Sequence, residues 1–165
     1  MKLNVEKGKI DEAISIMREV ARWGRSRGYR VWLDEWLTQQ ELLSDEVTAE
    51  NFYVGQVNGI DASCMILQWS DSEWWPAATM NEAGYIHKLC VRREFAGKGI
   101  PKEMSNYAKA ECRKKGARHL RLDTGWNEEK MKQIYTGLGF DIVKKIELKN
   151  GREMALYQLT VDDVE

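Results

Sequence analysis

A glycine-bracketed turn, Gly97-Lys98-Gly99, follows the apolar run Tyr85 to Val91 and opens a segment of helical periodicity. Glycine lets the backbone bend freely and approach a ligand closely. The first amides of a helix lack internal partners and carry the positive end of its dipole, so such a turn suits phosphate. Lys98 and Lys102 add positive charge there. A dinucleotide fingerprint needs a third glycine where Lys102 stands, and a P-loop needs a hydroxyl residue after its Gly-Lys, where Gly99 stands. The plainer reading of the turn is a strand-to-helix connection that uses glycine for geometry. His87 lies inside the apolar run and is one of only two histidines, the other being His119. Histidine is the ordinary acid–base side chain near neutrality; its plainer reading here is a hydrogen-bonded sheet residue. Asp123 and Glu94 are further acid–base candidates, and Asp123 equally suits a turn cap.

The elements that must position these residues follow from periodicity. A short strand is expected at the N-terminus. Ala13, Ile14, Met17, Val20 and Ala21 form one helical stripe over Ile10 to about Arg27, and Gly28 ends it. A second helix is expected from about Trp32 to Leu43, with Leu33, Trp36, Leu37 and Leu43 on its apolar face. Asn51 to Val57 and Ile60 to Trp69 read as a hairpin about Asn58-Gly59. Ser70 to Gly84 reads as a polar, Trp-containing loop before the strand Tyr85 to Val91. Ile100, Met104, Ala108 and Cys112 repeat at i+4 in a helix from Gly99 to about Lys115, which Gly116 ends. A strand at His119 to Asp123, a helix from Asn127 to about Leu138 and a final hairpin about Lys149-Asn150-Gly151 complete the order. Asn127, followed by Glu128 and Glu129, suits a helix N-cap. The mid-chain hairpin forces antiparallel pairing, and the crossover from position 85 to 123 favours parallel pairing. The fold class is therefore α/β (α+β), a mixed, mostly antiparallel central sheet with helices on both faces.

A chain of 165 residues with 43% hydrophobic and 31% charged side chains suits one soluble globular domain, residues 1–165. The net charge of −1 speaks against a nucleic-acid partner. No apolar run approaches the length of a membrane span, and the first residues lack a signal core, so a cytoplasmic protein without a membrane partner is expected. Cys64, Cys90 and Cys112 match no zinc spacing and read as reduced core thiols. No metal site is expected. The final hairpin and the sheet edges are candidates for a homodimer contact.

Two segments carry a family resemblance. Tyr85-Ile86-His87-Lys88-Leu89-Cys90-Val91 followed by Gly97-Lys98-Gly99-Ile100 resembles the acetyl-CoA motif of the GCN5-related N-acetyltransferases (GNAT). Ile134-Tyr135-Thr136-Gly137-Leu138-Gly139-Phe140 resembles that family's second signature. The order and separation of the elements match as well, over nearly the whole chain. The resemblance implies the GNAT fold, a sheet of six to seven strands with about four helices, and attack of an amine on the thioester of acetyl-CoA. Backbone amides near Leu89, Cys90 and Val91 would hold the pantetheine and polarise the carbonyl. Ala96, Gly97, Lys98, Gly99, Ile100 and Lys102 would cradle the pyrophosphate, and Asn127 would contribute to the cofactor site. Tyr135 would hydrogen-bond the leaving thiolate, and His87 would deprotonate the amine. Trp32, Glu35 and Trp36, with Asp123, would form an acceptor wall suited to a cationic amine.

The sequence departs from the family pattern in places. Ala96 stands where Arg or Gln opens the glycine motif, and Pro101, which lacks an amide hydrogen, stands at its last position. Glu128 stands where Asn is frequent, seven residues before Tyr135. The reading is an enzyme, an acyltransferase moving acetyl to the primary amine of a small molecule. The alternative is a CoA-binding sensor or structural module without turnover. A nucleotide-binding domain and a protein-acetylating enzyme are further readings of the same residues.

Overall fold

The computed structural model describes residues 2–162. Seven strands form a mixed sheet: β1 (Leu3–Lys7), β2 (Phe52–Val57), β3 (Ile60–Gln68), β4 (Ala83–Val91), β5 (His119–Gly125), β6 (Asp141–Glu147) and β7 (Glu153–Thr160). Their order is β1-β2-β3-β4-β5-β7-β6. The helices are α1 (Ile10–Ser26), α2 (Gln39–Leu42), α3 (Ile100–Lys115) and α4 (Glu129–Gly137), with short 3-10 turns between them. The expected mixed sheet is thus present, with β4 and β5 parallel and the pairs β1–β2, β2–β3, β5–β7 and β6–β7 antiparallel.

The chain falls into two compact units. One comprises Met1–Gln68 and Lys88–Tyr107, the other Trp69–His87 and Ala108–Glu165. In the first, the buried side of α1 (Ala13, Ile16, Met17, Ala21) shares a core with Leu37, Phe52, Val54, Cys64, Ile66 and Cys90. The β2–β3 hairpin turns at Asn58 (φ 52°) and Gly59 (φ 77°), the left-handed pair that matches strand twist. In the second, β5 is zipped to β7 from His119–Thr160 to Gly125–Met154. Leu120, Leu156 and Tyr157 there are fully buried.

The helix expected from Trp32 to Leu43 does not form. A 3-10 turn at Asp34–Trp36 and the single turn α2 replace it. Thr38 is extended and its hydroxyl accepts the Glu41 amide, a side-chain bond that restarts the helix rather than continuing it. Arg25 holds the Trp32 carbonyl at 2.8 Å and the Asp34 carboxylate at 2.8 Å, which fixes the chain outside helical geometry. Only Leu37 of the expected apolar face is fully buried; Trp36 is 51% exposed. Asn127 is not the cap of α4. The helix starts two residues later, and Glu128 accepts the Gly125 amide at 2.5 Å. All three cysteines are buried and free, as core thiols should be.

Candidate active site

Strand β4 carries His87, Leu89, Cys90 and Val91, and its backbone is not regular. Lys88 has φ 56°, a left-handed conformation inside a strand and costly for a residue with a Cβ. The β4–β5 register covers Ala83–His119, Gly84–Leu120 and Tyr85–Arg121 and goes no further. On the β3 side, β4 stays fastened to its end. Cys64 Sγ lies 3.8 Å from the Lys88 carbonyl, Ser63 donates to the Cys90 carbonyl at 2.8 Å, and the Arg92 amide donates to the Ala62 carbonyl at 2.8 Å. Positions 88, 90 and 92 therefore turn toward β3. Strand alternation turns the amides of Leu89 and Val91 to the opposite edge.

The loop after β4 is held at its root by Arg92. Its guanidinium meets Glu19 of α1 at 2.8 Å, the Asp61 carbonyl at 2.9 Å and Glu94 at 3.0 Å. Glu94 is thereby an ion-pair partner. Gly97 and Gly99 have φ 74° and 75°, and a Cβ on either would meet nothing within 4 Å. Glycine is favoured here by backbone handedness, and the space above both residues is open. The bond ladder of α3 opens with the Glu103 amide on the Gly99 carbonyl at 3.3 Å, so the amides before it lie ahead of the ladder. Ile100 and Pro101 are the first two residues of α3, and Ile100 is fully buried. Lys98 lines an open cavity of about 400 Å³ with Lys2, Val57, Asn58 and Phe95.

His87 is placed between two carboxylates. Its Nε2 lies 2.9 Å from Asp71 Oδ2 and its Nδ1 lies 3.5 Å from Asp123 Oδ2. Asp71 is 6% exposed and fixed by both oxygens, since Oδ1 accepts the Trp74 amide at 3.3 Å. Nothing in the sequence marked Asp71, one acid in a loop with several polar residues. The three side chains offer ligand atoms within 4.8 Å of one another, a spacing that a cation could also use.

Beside this group, Arg121 is buried in a polar network with Glu82 (2.9 Å), the Tyr85 hydroxyl (3.0 Å) and Gln158 (2.9 Å), and stacks on Trp75. Arg121 bonds and attracts Glu82, which holds that carboxyl below its usual range; burial pushes the Tyr85 hydroxyl up. Tyr135 on α4 is 6% exposed and packs edge-on against Phe140 and Tyr157, with ring centres 6.1 and 5.8 Å away. The residues expected to form an acceptor wall are dispersed in role. Trp32 receives the Lys88 ammonium at 5.2 Å, whereas Glu35 and Trp36 are exposed on the 3-10 turn. Asp123 alone of that set joins a catalytic candidate.

A mixed sheet in this strand order, with an irregular β4 that leads through a left-handed glycine turn into α3, defines an acetyltransferase class of fold. Residues 39–161 match the acetyltransferase (GNAT) domain model, and the chain belongs to that family. An uncharacterized N-acetyltransferase of Methanocaldococcus jannaschii is 24% identical over 143 residues, covering 84% of this chain and 59% of that protein's length. The chain therefore spans less than two thirds of this relative. A GNAT acetyltransferase structure from Listeria monocytogenes superposes with a TM-score of 0.73 at 24% identity, covering 96% of this chain and 94% of that one. The PaiA N-acetyltransferase of Thermoplasma acidophilum, solved in complex with coenzyme A, gives a TM-score of 0.70 at 15% identity over 97% of this chain and 99% of that one. The expected family and fold are borne out. Among the described residues no helix is long and apolar enough to cross a membrane.

Proposed function

We propose that this protein is an N-acetyltransferase that moves the acetyl group of acetyl-CoA to the primary amine of a small molecule. The observation that carries the reading is the glycine turn. Two left-handed glycines, Gly97 and Gly99 on either side of Lys98, have open space above them and lead into a helix whose first amides precede its bond ladder. Those features fit a diphosphate-bearing ligand. The CoA-bound state of the PaiA structure supports the same choice of cosubstrate. Ala96, Gly97, Lys98, Gly99 and Ile100 are assigned to the pyrophosphate, with Lys102 as a neighbouring cation and Asn127 as a further contact. Pro101 withdraws one donor from this set without disturbing the first turn of α3.

Acetyl-CoA supplies an activated thioester; the chain's residues supply placement and proton handling. The amides of Leu89 and Val91, directed away from β3, hold the pantetheine arm, with Cys90 between them anchored through its carbonyl. His87 is the base that takes the amine proton. Tyr135 donates a hydrogen bond to the sulfur that departs. A tyrosine has a pKa of about 10 and a thiol of about 8.5, so full transfer is uphill by roughly 2 kcal/mol and a hydrogen bond is the step it can supply. Asp123 draws the acceptor's cationic amine, and Trp32, Glu35 and Trp36 are the further acceptor-side candidates. No nucleic acid, metal or membrane enters this reading; a cytoplasmic setting and a homodimer through a sheet edge belong to it.

The sensor reading is favoured by Ala96 and Pro101, which remove a side chain and an amide from the family's phosphate motif. A panel of small primary amines, incubated with acetyl-CoA while released thiol is followed, separates the two. Thiol release that depends on an amine and collapses in Tyr135→Phe supports the enzyme. Tight acetyl-CoA binding with no release over the whole panel supports the sensor.

A further inference from the structure

Between β3 and β4, Asp71 is held more firmly than a loop carboxylate needs to be. Its Oδ1 accepts the Trp74 amide and its backbone carbonyl accepts the Trp75 amide at 2.8 Å. That leaves Oδ2 directed at His87 Nε2, 2.9 Å away. A buried carboxylate can only accept here, so Nε2 must carry a hydrogen. A neutral imidazole has one N–H; with that hydrogen committed to Asp71, Nδ1 holds the lone pair. Nδ1 faces Asp123 Oδ2 at 3.5 Å, beyond the 2.7–3.2 Å range of a hydrogen bond. Two acceptors then stand side by side, and a cation that carries more than one hydrogen can donate to both.

We infer that Asp71 is a positioning residue that sets the tautomer of His87, so that Nδ1 and Asp123 together receive the ammonium of the acceptor. This rests on the acetyl-transfer reading and names the atom that takes the proton. The acceptor's N–H bond breaks, an Nδ1–H bond forms, and the resulting imidazolium is flanked by the Asp71 and Asp123 carboxylates. The amine keeps its electron pair for attack. His87 and Asp123 are 18% and 17% exposed at the side chain, enough to meet a ligand, whereas Asp71 is shielded and acts through the ring. The charge of the group matches a primary or secondary amine and disfavours an alcohol or a carboxylate-bearing end at the reacting position.

The test is long-range proton–nitrogen correlation of the imidazoles in the 15N-labelled full chain, taken to the neutral end of a pH titration. Only His87 and His119 contribute, and a His119→Gln variant assigns them. The expected result is an Nε2-protonated His87 with Nδ1 at the unprotonated end of the imidazole range. In Asp71→Asn, whose amide can donate to Nε2, the proton shifts to Nδ1. A wild-type His87 protonated at Nδ1, or a tautomer unchanged in a folded Asp71→Asn, overturns the inference. Should Asp71→Asn fail to fold, the wild-type spectrum alone decides. These outcomes are independent of acetyl-CoA binding: a failed titration with acetyl-CoA would remove the acetyl-transfer reading and leave the tautomer result standing.

Discussion

Asp71 Oδ2 lies 2.9 Å from His87 Nε2. The bond joins a loop carboxylate to a ring on β4, the strand that leads into the glycine turn. It gives the histidine a defined orientation, and removal of the ring should be felt in the chemical step. For His87→Gln we expect the turnover rate to fall by about 100-fold or more, the usual weight of a general base. The Michaelis constant for acetyl-CoA should stay within about twofold. Steady-state kinetics on any amine found by the thiol-release panel reads both quantities.

Asp123 is expected to act on the acceptor and not on the cosubstrate. Loss of one charge-assisted hydrogen bond, about 1.5–3 kcal/mol, corresponds to roughly 10- to 100-fold in affinity. Asp123→Asn should therefore raise the Michaelis constant for the amine by at least about tenfold and leave that for acetyl-CoA unchanged. Equal effects on both would place Asp123 elsewhere in the mechanism.

The glycine turn allows a substitution that separates folding from binding. Gly99 has φ 75°, where a branched residue is strained whatever the space. Asparagine tolerates that region better than other residues. Gly99→Asn should fold with a melting temperature only a few degrees lower, and the new side chain should fill the open space above the turn. Its acetyl-CoA dissociation constant should rise about tenfold or more. A folded variant with wild-type affinity would remove the turn from the phosphate site.

Much of this was written in the sequence because it rests on local chemistry. Ile100, Met104, Ala108 and Cys112 repeat at i+4 and are all fully buried on α3. Asn58-Gly59 is the left-handed pair that its type suggested. What escaped depends on long-range partners. The Trp32 to Leu43 segment has an apolar repeat, yet Arg25 captures its carbonyl and Thr38 interrupts it. Asp71 could not be found, since its meaning comes from His87, 16 residues away across a loop. Lys88 carries no mark of its left-handed backbone, a conformation usually signalled by glycine or asparagine.

That conformation at Lys88 predicts an inversion of the usual glycine penalty. Lys88→Gly and Lys88→Ala both remove the ammonium held over Trp32. Only the glycine relieves the positive φ, for which a Cβ costs about 1–2 kcal/mol. Lys88→Gly should be the more stable of the two by about 1 kcal/mol in urea unfolding. Greater stability of the alanine variant would indicate an ordinary extended strand.

His119 gives the pH dependence a sign. Burial, and then the nearby Arg121 charge, hold its pKa below the ordinary 6.5. Its Nδ1 is buried and lacks a hydrogen-bond partner. The unfolded chain binds the proton more readily, so the stabilising contribution is complete above 6.5 and is lost as pH falls through the lower folded value. Stability should decline from pH 7.5 to 5.5, and His119→Gln should flatten that decline. Cys112 works at the other limb. Burial pushes its thiol from 9.0 to about 11, so its contribution is present below 9 and is lost as pH rises toward that value.

The most direct measurement is calorimetric titration of the purified protein with acetyl-CoA, with ATP and NADH as controls. The account predicts saturable binding of acetyl-CoA at micromolar concentration and at least about tenfold weaker binding of both controls. A folded protein that binds no acetyl-CoA, or that binds ATP or NADH as well, would contradict it.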